Sequence, residues 1–138
     1  MNTPQKAKPQ NMFLMFNHSL SGNQETDAQN IWGRQLQFVE LPRQLKPLWA
    51  QIPADKEMLF DTLAPFRTWL EKASCPNDLV LIQGDFGATW LMVHYALTNN
   101  LVPVYSVTAR QAREETAPDG TVKTTHVFKH RMFRLYGV

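Results

Sequence analysis

Three short segments of this chain carry the residue types that do chemistry near neutral pH: Asn17-His18-Ser19, then Gln83-Gly84-Asp85-Phe86-Gly87-Ala88-Thr89, and the stretch from Thr108 to His130. The middle segment has two glycines, where a bare backbone lets a ligand come close, followed by a run with helical spacing. A helix beginning there turns unpaired N–H groups and its positive dipole end toward the segment, an arrangement that receives phosphate. Thr89 adds a hydroxyl. Asp85 has two readings: it caps the helix, or it accepts from a ribose hydroxyl, an adenine amine or a backbone N–H. The segment is neither a G-x-G-x-x-G fingerprint nor a Walker A loop, and without a Lys-Ser or Lys-Thr pair it speaks against ATP hydrolysis. Asp85-Phe86-Gly87 matches the protein-kinase tripeptide by accident, because the catalytic-loop signature is missing.

Histidine is the side-chain type suited to proton transfer at physiological pH, so His18, His126 and His130 are each either an acid/base group or a structural histidine. Arg110, Lys129 and Arg131 suit the neutralisation of phosphate. His126 and His130 stand four apart, a metal-ligand spacing on a helix and not on a strand, with no Cys pair beside them; whether a metal is bound is left open, and no organic cofactor has a fingerprint here. Glu114 and Glu115 balance Lys123 across a turn. No acidic residue follows Asp119, whereas Lys123, Lys129, Arg131 and Arg134 do. That local positive field fits an anionic ligand or an ordinary solvated face. The net charge of +2 argues against a general DNA binder.

Positioning these groups requires a particular frame. Met12–Phe16, Asp78–Gln83 and Val102–Val107 are continuous apolar runs, the mark of strands buried on both faces. Gln35–Val39 alternates and reads as a further strand. Helices are expected over Ser21–Trp32, Pro42–Ile52, Leu59–Ala73 (kinked or split at Pro65) and Ala88–Asn99. Strand, helix, strand around Gly84 is a βαβ unit with parallel strands. Pro118-Asp119-Gly120 marks a β-hairpin turn that brings Ala112 near His126 and Arg110 near Phe128, with His126, Phe128 and His130 on one face. A separate short strand, Met132–Tyr136, closes the chain. Trp49 and Trp69 read as core.

The length of 138 residues, 43% hydrophobic content and eight Phe suit one folded domain over residues 11–138, behind a flexible polar leader, residues 1–10. The leader lacks the apolar core of a secretion signal, and no apolar run approaches a membrane span. A single Cys75 fits a reducing, cytoplasmic setting.

Together Asn17-His18-Ser19-Leu20, Gln83 to Thr89, Arg110 with Glu114, and Thr125-His126-Val127-Phe128-Lys129-His130 with Phe133-Arg134 resemble the small Csx-twenty family of CRISPR-associated proteins, over about Met12 to Tyr136. The resemblance implies an α/β, Rossmann-like (CARF-like) fold: a mainly parallel sheet flanked by helices, ending in a β-hairpin. It implies a homodimer that holds a cyclic oligoadenylate messenger across its two-fold axis, and a ring nuclease that cuts cyclic tetra-adenylate and so switches off type III CRISPR signalling. Under it His18, Asp85, Arg110, His126 and Lys129 form the catalytic set. Asn17, Ser19, Gln83, Gly84, Phe86, Gly87, Ala88, Thr89, Thr108, Glu114 and His130 line the ligand. The alternative is a protein that binds the messenger without cutting it.

Overall fold

A computed structural model describes residues 7–138. Its single five-stranded sheet has the order β2-β1-β3-β4-β5, with β1 Asn11–Met15, β2 Gln37–Glu40, β3 Leu79–Ile82, β4 Val102–Thr116 and β5 Val122–Leu135. Pairings among β2, β1, β3 and β4 are parallel, and β4 with β5 is antiparallel. The sheet is therefore mixed, not mainly parallel as expected. The antiparallel ladder runs from Val104↔Leu135 out to Thr116↔Val122 and exceeds each parallel ladder in length. The hairpin belongs to the sheet itself, because β4 does not stop at Val107 but continues as one arm of it.

Helices cover both faces of the sheet's centre: α1 Gly22–Trp32 on one, and α2 Lys46–Ala50, α3 Ala64–Ala73 and α4 Phe86–Thr98 on the other. The strand period of two sorts the central residues accordingly. Phe13, Met15, Val80 and Ile82 pack with Trp49, Phe66, Leu70 and Met92, while Met12, Leu14, Leu79 and Leu81 pack with Ala28 and Leu36. This double covering is why β1 and β3 read as unbroken apolar runs. Trp49 is core, as expected, and Trp69 stands edge-on to Phe13 with ring centroids 5.2 Å apart.

Local chemistry sets the ends of the elements. Ser21 and Gln24 form a reciprocal capping box at α1, which stops at Gly33 in a left-handed conformation (φ 111°). Pro65 lies in the first turn of α3, where its missing N–H costs nothing. The expected kink is therefore absent: residues before Ala64 form turns. Gly120 (φ 85°) closes the hairpin, and the Asp119 carboxylate accepts from the Thr121 backbone N–H and hydroxyl, which holds its pKa below the ordinary value. Arg110 pairs with Phe128 and Ala112 with His126, the register read from the turn. A register shift between Val107 and Thr108 leaves Arg131 bulged, and β5 continues through it. Met132–Leu135 is thus the end of one long strand, not a separate one.

Residues 1–6 of the expected leader lie outside the described residues. Its last two residues are held to the body: the Pro9 carbonyl accepts from Gln35 Nε2 at 3.0 Å, and Gln10 N–H donates to Asp78 at 3.0 Å.

Candidate functional site

Strand order reverses beside β1, since β2 lies on one side of it and β3 on the other. Ligands of open α/β sheets occupy the carboxyl ends of strands at such a point. Two recesses open at this carboxyl edge of the sheet, on either side of the reversal. The first, about 280 Å³, lies beyond β1 and β2 and is lined by Asn17, His18, Ser19, Glu40, Lys46 and Ala50 among others. The second, about 330 Å³, lies beyond β3 and β4 and is lined by Gln83, Gly84, Phe86, Thr89, Tyr105 and Tyr136. The end of α2 stands between them, because Ala50 lines the first while the Trp49 indole packs on Gly84 of the second.

His18 is exposed on the wall of the first recess, its ring edge-on to Phe16 at a centroid distance of 6.1 Å. Among the described residues neither of its ring nitrogens has a hydrogen-bond partner, which leaves both free for a ligand. Lys46 Nζ lies 2.9 Å from Glu40 Oε2, a half-exposed pair on the rim. Asn17 Nδ2 reaches the Ala50 carbonyl at 3.5 Å.

Asp85 answers its double reading as a cap: its Oδ2 accepts the Ala88 N–H at 3.0 Å. That bond uses one of the free α4 amides and places a carboxylate beside the others, so α4's start is a poorer phosphate seat than its sequence suggests. Ala88 is fully buried and its N–H is taken, so the ligand contact expected of it does not form in this arrangement.

The glycines, too, serve differently from the expectation. A Cβ on Gly84 would lie 3.1 Å from Trp49 Nε1, whose proton goes to the Gln83 carbonyl at 3.0 Å. Gly84 is thus small to admit an indole rather than a ligand. A Cβ on Gly87 would meet nothing nearer than 3.6 Å. Gly84→Ala is expected to lower stability by about 1 kcal/mol as the indole is displaced, and Gly87→Ala to be neutral or to raise it by about 0.5–1 kcal/mol. Thermal unfolding of the two variants checks both signs.

The Thr108–His130 segment does not converge as one cluster. Arg110, Glu114 and His126 share one face of the hairpin with Thr108 and His130, whereas Lys129, opposite Ala109, projects from the other. His126, opposite Ala112, stands about 20 Å along the ribbon from Ser106 at strand rise. His130 turns inward: Nδ1 lies 2.6 Å from Ser106 Oγ and Nε2 2.7 Å from Asp27 Oδ2, with the side chain 5% exposed. Gln24 Nε2 also donates to Ser106 Oγ at 3.1 Å, so the cap of α1 and the base of the hairpin share one network. Both ring nitrogens of His130 are thereby committed within the protein, and the ligand contact expected of it does not form in this arrangement. Among the described residues no group of three or more His, Cys, Asp or Glu is arranged to hold a metal ion.

Sequence reasoning missed Lys46, Glu40, Tyr105, Tyr136 and the Asp27–His130–Ser106 chain. Only the Ser21-x-x-Gln24 spacing carried a legible local signal, the capping box, and it did not reveal the second bond of Gln24.

A family model described as "Uncharacterized protein MJ1673 family" matches residues 10–134. The chain belongs to that family. The match takes in both Asn17–Ser19 and Gln83–Thr89 and stops short of Tyr136. The chain is also similar to a Methanocaldococcus jannaschii protein described as "Uncharacterized protein MJ1673", with 45% identity over 125 residues, 91% of this chain and 95% of that protein. No solved structure matches it. Function is read from the two recesses and from the resemblance of the motifs.

Proposed function

We propose that this protein is a ring nuclease that binds cyclic oligoadenylate, cyclic tetra-adenylate in particular, and cuts it, switching off type III CRISPR signalling. The observation that carries the reading is the pair of recesses flanking the strand-order reversal, one with a free histidine on its wall and the other aromatic. A nucleotide needs both kinds of surface. The finer description of the fold as Rossmann-like and CARF-like belongs to the same proposal, supported by the parallel run β2-β1-β3-β4 with helices on both faces.

The chemistry is attack of a ribose 2′-oxygen on the adjacent phosphorus. The 2′-O–P bond forms and the P–O5′ bond breaks, giving a 2′,3′-cyclic phosphate and a 5′-hydroxyl. The 2′-hydroxyl proton leaves to a base and O5′ gains a proton. In this reading His18 carries the protons, and Lys46 on the same wall, paired with Glu40, offsets developing charge. Asp85 serves the site indirectly by fixing the start of α4. In the same reading Arg110 and Lys129 of the hairpin neutralise phosphate from its two faces, and His126 is the alternative to His18 as proton carrier.

A two-fold dimer matches the symmetry of a cyclic tetranucleotide. Its physical support is the hairpin, which extends past the sheet with Val122 59% and Phe128 67% exposed. An isolated two-stranded ribbon is marginal in water, so such apolar side chains favour burial against a second copy. Cytoplasmic residence is part of the reading and agrees with the free Cys75. No helix among the described residues is long and apolar enough to cross a membrane.

The test is incubation of the purified protein with cyclic tetra-adenylate in EDTA and separately with manganese, with products resolved by chromatography. Linear di- or tetra-adenylate in EDTA is the expected result. Cutting only with manganese gives a metal the charge-stabilising role. An intact ring in both conditions overturns the nuclease, and tight binding of that intact ring leaves a sequestering or sensing protein.

A further inference from the structure

We infer that the second recess is a nucleobase subsite, shaped for a purine, and that Phe86, Tyr105 and Tyr136 set the preference for adenylate over pyrimidine rings. The inference rests on the nucleotide reading for the identity of the ligand, while its location follows from the geometry alone. Phe86 is 95% exposed although it is the first residue of α4, so its ring contributes almost nothing to the core. Tyr105 and Tyr136 form the facing wall, their rings 4.7 Å apart and tilted by 47°. Burial first, and then the neighbouring Tyr105, raise the Tyr136 phenol above its ordinary pKa, so it stays protonated and donates to the Ile82 carbonyl at 2.7 Å. That bond anchors the wall to the end of β3. Aromatic walls of this kind take a planar base by stacking.

The polar groups around the walls are arranged for a base edge. Gln83 is pinned at three atoms: its N–H donates to the Met15 carbonyl at 3.0 Å, its carbonyl receives Trp49 Nε1 at 3.0 Å, and its Oε1 receives the Ser106 N–H at 2.9 Å. This leaves the Nε2 protons without a partner among the described residues, on a side chain that cannot wander. A fixed amide donor suits the ring nitrogens of a purine. Thr89, on the same lining, has a hydroxyl buried without any hydrogen-bond partner, a costly state that a bound base edge relieves. The volume, about 330 Å³, is at the lower bound for small-ligand pockets and fits one nucleotide rather than a larger cofactor. No carboxylate is among the residues that line the recess, and the Asp85 carboxylate beside it is engaged by the Ala88 N–H.

The two recesses then divide the ligand between them. The base enters between Phe86 and the tyrosines, and the sugar-phosphate crosses the end of α2 toward His18. Trp49, packed on Gly84, lies under that crossing and reports on it.

The test is calorimetric titration of the full chain with cyclic tetra-adenylate, cyclic tetra-uridylate and adenosine monophosphate. Wild-type protein is compared with Phe86→Ala, whose ring is solvent-exposed and dispensable for folding, and with the isosteric Thr89→Val. Wild type is expected to prefer the adenylate ring about tenfold or more, and Phe86→Ala to weaken it by about tenfold while leaving the uridylate ring within a few-fold. A wild-type preference that survives both substitutions overturns the subsite and leaves the nucleotide reading standing. Loss of ring binding in wild type, with adenosine monophosphate still bound and lost in Phe86→Ala, keeps the subsite and overturns the cyclic ligand. Absence of binding by all three overturns both.

Discussion

Asp78→Ala is expected to destabilise the fold by about 3–5 kcal/mol, the cost of leaving several donors in a dry site without their acceptor. Asp78 is fully buried, and its carboxylate accepts four hydrogen bonds. Oδ1 receives the N–H groups of Gln10 at 3.0 Å and Asn11 at 3.1 Å. Oδ2 receives Asn11 Nδ2 and the Cys75 N–H, each at 2.9 Å. One side chain therefore fastens the start of β1 to the turn that enters β3, and those two strands are the centre of the sheet. Asp78→Asn tests the assignment more sharply, because it keeps the volume but turns an NH₂ toward donors that need an acceptor. It should recover little of the loss. The measurement is urea unfolding, read as a lower midpoint at unchanged slope. A loss below about 1 kcal/mol for Asp78→Ala would mean that water replaces the carboxylate at low cost, and the clamp would have to be abandoned.

The second large effect concerns turnover. His18→Ala should slow ring opening by about 10²–10⁴-fold, the usual worth of a positioned proton carrier, with affinity changed only a few-fold. Single-turnover cleavage at saturating protein separates the two quantities. His126→Ala is the informative comparison, because both histidines are plausible from sequence while the fold separates them. His126 stands exposed on the hairpin and lines neither recess of its own chain. Little change is expected from it. A collapse of cleavage in His126→Ala, with His18→Ala unaffected, would instead make the hairpin of one copy the proton carrier for the other. His18→Ala should also leave thermal stability unchanged, since the ring is exposed and hydrogen-bonds to nothing among the described residues.

Several features that depend on short-range pattern are legible in the residues themselves. Apolar runs at Met12–Phe16 and Asp78–Gln83 are legible because a strand covered on both faces leaves no room for polar residues. The start of α1 is legible because Ser21 and Gln24 satisfy each other's backbone donors without outside help. The Pro118-Asp119-Gly120 turn is legible because its left-handed glycine and Asp side chain act within a few residues, and pairing across the ladder then follows by counting. The loops that bear His18 and Gly84 were likewise within reach, since connections at the carboxyl ends of parallel strands follow from the βαβ pattern.

Tertiary structure alone decided what those loops do. Gly84 looks like a phosphate glycine until Trp49, 35 positions earlier, is seen to occupy its open side. His130 looks like a ligand group until Asp27, 103 residues away, takes its Nε2 and Ser106 its Nδ1. Tyr105 lies in β4 and Tyr136 just past the end of β5, and they become a wall only through the β4–β5 pairing. The parallel character of the sheet was overestimated for a related reason. Nothing in the local pattern of Val102–Val107 says whether the strand stops or runs on into the hairpin, because β propensity is set by neighbours the chain has yet to supply. Local hydrogen bonds and apolar periodicity are written over a few residues and can be read there. Side-chain partners drawn from across the sheet are chosen by packing, and only the folded chain reveals them.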